Sequence, residues 1–182
     1  MPQRACASLL APLLQGNLDH LQQAKHLLSQ LSDEQYAHAN PATGRGRIGA
    51  HLRHVVDHYA ALVQGLANGC IDYDARERRL ELETSRSSMA AALAAVDADL
   101  NRLAARSPLQ GVDVLIDSGE AGQRTRSSST LARELQFLAC HTVHHYAVIA
   151  LLVQERGYPV DPAFGVAPST RKHEAEQTAC AR

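Results

Sequence analysis

Residues 48–67 read IGAHLRHVVDHYAALVQGLA, and residues 131–156 read LARELQFLACHTVHHYAVIALLVQER. In the first, His51, His54 and His58 stand three and four positions apart. At roughly 100° per residue they fall within about a 60° arc, so a helix presents them as one stripe. In the second, His141 and His145 are four apart on one face, with His144 nearer its edge, between Leu138 and Val148. A histidine pair at that spacing is the simplest two-ligand clamp that a helix can offer. Two helices that each carry such a stripe set the expectation for the rest of the chain.

The boundaries of both stretches are legible. His38 to Gly46 is rich in Gly and Pro and reads as a loop before Ile48, while Asn68-Gly69 supplies residues that end helices in the left-handed conformation. Ser129 or Thr130 can cap the later helix, and Gly157 and Pro159 stop it. Upstream, Leu10, Leu14, Leu18, Leu21, Leu28 and Leu31 recur at helical steps over residues 9–31, and Ser32-Asp33-Glu34 ends that helix or caps a short turn. Residues 72–83, DYDARERRLELE, are charged and read as irregular at first. A further helix is expected over Met89 to Ala105, marked by Leu93, Val96, Leu100 and Leu103 and closed by Pro108 and Gly111. Val112 to Ile116 and Gln123 to Ser127 flank the turn-rich Asp117 to Gly122 and read as a short hairpin inserted before the last helix. The expectation is an all-α, four-helix bundle in a single domain spanning 1–182, with its core over about 8–156 and a tail, 157–182, that shows no period.

Composition narrows the function classes. The chain has 182 residues, 45% of them hydrophobic but only 4% aromatic and none Trp, so Ala and Leu must supply most of the core. A formal charge of −1 provides no global positive field for phosphates, and no nucleic-acid motif is present, so nucleic acid is not an expected partner. Cys6, Cys70, Cys140 and Cys180 are far apart and read as free thiols of a reducing compartment. Residues 1–14 faintly imitate an export leader but run on into the helical leucines, and no apolar run is expected to reach the roughly 18 residues of a membrane span. A cytoplasmic protein without a membrane partner is expected.

Ten histidines are the compositional oddity. Read singly, each is a surface or hydrogen-bonded residue; read as two stripes, they form a candidate metal site. The residue after His141 is Thr142 rather than Glu, so the base of a zincin-type metalloprotease is missing. The residues three before His54, His58, His141 and His145 are His51, Val55, Leu138 and Thr142, which disfavours a di-iron carboxylate site. Cys140 reads as a buried small thiol, Tyr59 and Tyr146 as residues packed between helices with hydroxyls seeking partners. Arg76, Arg78 and Arg79 read as a solvated run, with anion binding as the alternative.

Arg47 to Tyr59, RIGAHLRHVVDHY, and Cys140 to Tyr146, CHTVHHY, resemble the two metal-binding helices of the DinB/YfiT-like family. The likeness in helix layout covers roughly residues 8 to 156, and the specific matches lie in these two segments. It implies an up-down-down-up bundle, often dimeric, with three histidine ligands for zinc, nickel or a similar ion. The H-x-x-x-H of the family falls on His141 and His145, and a ligand followed three residues later by Asp falls on His54 with Asp57, leaving His51 as the alternative and His58 one turn away on the same stripe. Iron and copper suit imidazole as well. Three imidazoles leave a coordination position open, the arrangement of a catalytic site. The resemblance then implies a small-molecule substrate and thiol transfer, thiol-dependent isomerisation or hydrolysis, with a small thiol as co-reactant and Asp57, His58 and His144 orienting ligands or carrying protons. The alternative is a non-catalytic metal-binding or stress-associated helical-bundle interaction protein.

Overall fold

A computed structural model describes residues 2–40, 42–119 and 122–180, with side chains described within residues 10–178 of those spans. Four long helices, α1 (Pro2–Gln30), α3 (Ile48–Asn68), α5 (Arg86–Arg102) and α6 (Leu131–Glu155), enclose the core. Both α1 and α3 pack against both α5 and α6. The leucine period of α1 is the cause on that helix: Leu10, Leu14, Leu21, Leu27 and Leu28, with Leu31 just past its end, are all buried. They meet Leu52, Val55, Leu62 and Leu66 of α3, Leu93 and Leu100 of α5, and Leu135, Leu138 and Ile149 of α6 in one continuous cluster.

The ends of these helices follow local chemistry. Ser32 caps the short α2 (Asp33–Ala37) in a reciprocal capping box with Gln35. Gly69 closes α3 at φ 79°, and Thr130 caps α6 by accepting from the Arg133 N–H at 3.3 Å. Ser85 caps α5 in the same way through Ser88 N–H. Leu103–Ala105 continues α5 as a 3-10 turn, so the helix expected over 89–105 begins three residues earlier and tightens at its end.

One expectation is corrected among the described residues, and two elements are added. The class is mostly helical rather than all-α, because the hairpin of β2 (Gly111–Asp117) and β3 (Arg124–Thr130) is joined by β1 (Cys70–Asp72) in a three-stranded sheet. β1 pairs parallel to β2 with Cys70 opposite Asp113, and β2 pairs antiparallel to β3 from Gly111↔Thr130 to Asp117↔Arg124. A strand of three residues is too short to carry a period, which is why the pattern along residues 70–72 hid it. The charged stretch 72–83 ends in the short α4 (Glu81–Thr84), and the tail forms α7 (Pro168–Cys180), an exposed polar helix with no apolar face to announce it. Glu120 and Ala121 of the expected turn, and the side chains of Cys6 and Cys180, lie outside the described residues.

By length and composition α6 is apolar enough to cross a membrane, contrary to the expectation that no apolar run reaches that length. It nonetheless packs on α1 and α3, with Leu135, Leu138, Thr142, Tyr146 and Ile149 buried. Its two buried hydroxyls, those of Thr142 and Tyr146, find partners. Tyr59 of α3 donates to Asn17 Oδ1 at 2.7 Å and lies 3.2 Å from Thr142 Oγ1, while Asn17 donates to Leu135 O at 3.1 Å. Tyr146 donates to His20 O at 2.9 Å. Buried hydroxyls with such partners carry little desolvation penalty and fix the lateral position of α6 against α1 and α3.

The segment after α3 is folded back along it. Gly65 permits this, since a Cβ there would lie 2.5 Å from Ile71 Cα. Asp72 Oδ1 then accepts from the N–H groups of Asp74 and Ala75 at 3.0 Å each and turns the chain, delivering Tyr73 and Arg76 to the histidine face of α3.

Candidate metal centre

The stripes of α3 and α6 interdigitate as a ladder of five rings. His51 contacts His145 (ring centroids 5.5 Å), His145 contacts His54 (4.5 Å), His54 contacts His141 (5.0 Å), and His141 contacts His58 (4.3 Å). His51 meets His145 while His58 meets His141, so the two helices run antiparallel here. Helical repeats of three and four residues on both partners make the rings alternate between helices along the ladder.

Two overlapping sets of three result. His54, His58 and His141 each offer a nitrogen, and these atoms lie within 4.8 Å of one another. Nitrogens sharing one tetrahedral ion are separated by about 3.3 Å, given bonds of 2.0–2.1 Å, so small ring rotations separate this arrangement from a coordinating one. His54, His141 and His145 form the other set, with His141 and His145 centroids 4.6 Å apart. There the His145 Nδ1 faces His51 Nδ1 at 3.2 Å.

The electronic state of the rings suits a metal. Burial, followed by the fields of His58, His145, Arg76 and His141, holds His54 down at about 2. Burial and the neighbouring rings bring His141 and His145 to about 4, and burial, against the hydrogen bond to His54 O, brings His58 to about 4. All four are therefore neutral at pH 7, with a lone pair on one nitrogen each, the form that binds cations. His58 Nδ1–H donates to His54 O at 2.7 Å, which leaves Nε2 as its lone-pair atom. His141 Nε2 is buried with no hydrogen-bond partner. An orphaned imidazole nitrogen inside a cluster of neutral rings is what a divalent cation would satisfy.

The surroundings were only partly foreseen. Tyr73 stacks on His58 (5.3 Å, 18°) and Phe137 on His141 (5.5 Å, 24°), and the two aromatic rings touch each other at 5.2 Å. Tyr73 is fixed by donating to Glu134 Oε2 at 2.7 Å. Arg76 Nη1 lies 3.3 Å from His58 Nε2. Tyr73, Phe137 and Glu134 carried no sequence signal beyond apolar or charged positions on helix and strand; only the fold-back after β1 brings Tyr73 here.

Asp57 is buried, and its carboxylate accepts from Arg53 at 2.7 Å; Arg53 also donates to Glu83 Oε1 at 2.9 Å. Among the described residues no hydrogen bond joins Asp57 to a histidine. His144 is exposed and meets His145 edge-on at 5.4 Å. Cys140 is exposed rather than a buried thiol, because position 140 lies on the outer face of α6, about 100° from His141.

A family model described as the DinB superfamily matches residues 18–149. The chain belongs to the DinB superfamily. That span takes in α3, α5, the sheet and the histidine face of α6. Among curated proteins, FK506-binding protein 5 of Rhizopus delemar is similar to it, 30% identical over 110 residues, which is 59% of this chain. The match spans 28% of that relative's own length. No solved structure matches the chain. DinB superfamily membership and the histidine cluster together support a metal-binding DinB-like protein.

Proposed function

We propose that this DinB-superfamily chain holds one divalent cation, zinc or nickel in the first instance, between α3 and α6, and uses it on a small molecule. His54 and His141 belong to both histidine sets and are the shared ligands. His58 completes one set once Arg76 Nη1 moves off its Nε2; His145, which the family resemblance implies, completes the other through Nε2, with His51 against its Nδ1. The observation that carries the reading is the buried, unpartnered His141 Nε2 among neutral imidazoles.

Three imidazole ligands leave an open position, at which such an ion supplies Lewis acidity and lowers the pKa of a water or small thiol toward neutrality. Transfer or isomerisation with a small thiol, or hydrolysis, follows as the reaction class. The chain's own residues set the frame. His58 is locked in one tautomer by its Nδ1–H bond to His54 O, and Tyr73 and Phe137 wall one side of the cluster. Exposed His144 is the proton carrier at the rim, and Asp57 acts through Arg53 to fix α3 against α4. The up-down-down-up order, a homodimer and a cytoplasmic location complete the proposal, the last supported by free Cys70 and Cys140.

A second reading has a specific observation behind it. His54, His58, His141 and His145 are close enough that four imidazoles together would close a tetrahedral site and merely tie α3 to α6. Cobalt-substituted protein separates the two. An absorption change on adding a small thiol is expected for the open site; an unchanged spectrum, with thermal stability lost on chelation, would favour the closed one.

A further inference from the structure

Arg76 is a cation without a carboxylate. Its guanidinium donates to Tyr73 O and lies against the lone pair of His58 Nε2, while its Nε is buried with no partner. The nearby acids are engaged elsewhere. Asp57 accepts from Arg53, Asp74 Oδ2 accepts from Asp117 N–H at 2.7 Å, and Glu77 pairs with Arg79 at 3.7 Å. Among the described residues no carboxylate comes within 4.0 Å of the Arg76 nitrogens. A half-buried guanidinium left with a carbonyl and a neutral ring gains little of the charge compensation that would offset its desolvation.

The same side chain borders a cavity of about 280 Å³, with Asp57 and Gln64 of α3 on one side and Arg76, Glu77 and Arg79 on the other. The opening suits a small metabolite-sized group, and the planar fork of arginine matches carboxylate and phosphate oxygens two at a time. Arg53 neutralises Asp57, so the wall opposite Arg76 does not repel an anion outright.

We propose that Arg76, with Arg79 at the rim, anchors the carboxylate or phosphate of a small organic anion in this cavity, directly beside His58 of the histidine cluster. An anion that draws Arg76 outward frees His58 Nε2, so occupancy of the cavity and coordination by His58 are coupled. That coupling rests on the metal reading; the anion site does not.

The test titrates metal-free protein calorimetrically with inorganic phosphate and, separately, with succinate, so that the two oxyanion classes are distinguished. Saturable binding of at least one is expected. Arg76→Gln should weaken it by about tenfold or more and Arg76→Lys, which keeps the charge but loses the fork, by less, while Arg78→Gln outside the cavity leaves it unchanged. Thermal midpoints establish that each variant is folded, and if Arg76→Gln is not, Arg76→Lys decides alone. No binding of either anion by the parent, undiminished binding by the Arg76 variant, or an equal loss in Arg78→Gln would overturn the proposal. Zinc content measured on the same preparations reports on the metal reading separately, since a chain can take up zinc without the anion or the anion without zinc.

Discussion

Acid should unfold the metal-free protein through its histidine ladder. His54 is held at about 2 and His58, His141 and His145 at about 4, against 6.5 for the unperturbed ring. Between those values the unfolded chain binds protons that the native chain refuses. Stability is therefore full above about pH 6.5 and declines as pH falls toward 4. Each such proton is worth about 1.4 kcal/mol per pH unit. Most of these rings are only partly buried, so solvent screening reduces four groups to the equivalent of about two, and the loss between pH 6.5 and 5.0 is about 4 kcal/mol. Set against the 5–15 kcal/mol typical of a domain, that lowers the thermal midpoint by about 10 °C. Circular dichroism melts of chelator-treated protein at pH 7.5, 6.5, 5.5 and 5.0 give the slope, and a double His54→Ala/His141→Ala variant should flatten it by about half. A midpoint constant from pH 7.5 to 5.0, or a variant that falls as steeply as its parent, would refute the reasoning.

Three further outcomes follow from contacts around the site. Tyr59→Phe removes the donor to Asn17 Oδ1 in a buried network and should cost about 1–3 kcal/mol, read from urea midpoints; a neutral change would mean that water replaces the hydroxyl. Arg53→Met leaves Asp57 and Glu83 without their shared cation and should cost about 3–5 kcal/mol at pH 7, read from urea midpoints; an unchanged midpoint would show that the ion pairs contribute nothing. Gly49→Ala would put a Cβ 2.3 Å from Glu83 O, so α4 must move off α3, and a thermal midpoint equal to the parent's would show that this backbone approach is not tight.

Where the sequence was readable, one physical reason recurs: the signal was local. The leucine steps of α1, the capping residues Ser32 and Thr130, and Gly69 past α3 each act within one or two turns; the capped ends fall where these residues put them, while α1 begins at Pro2, seven residues before its leucine period. The two histidine stripes were legible for the same reason, and interdigitation followed once α3 and α6 faced each other. What stayed hidden depends on distant pairing. β1 exists because Cys70 to Asp72 find β2 some forty positions away, and Tyr73 reaches His58 only because Gly65 lets the chain fold back. Arg76 reads as one of several arginines in a charged run; its buried Nε and missing acid partner are properties of the fold. The choice between His58 and His145 likewise turns on ring orientation, which helical spacing does not encode.

The most direct measurement is the metal content of untagged protein by elemental analysis after exposure to zinc or nickel and desalting, beside single alanine variants at His54, His141, His58, His145 and His144. About one equivalent per chain is expected in the parent. It should be lost in the His54 and His141 variants, reduced by whichever of His58 and His145 is the third ligand, and kept in the His144 variant. A metal-free parent, or full loading without His54 and His141, would contradict the account.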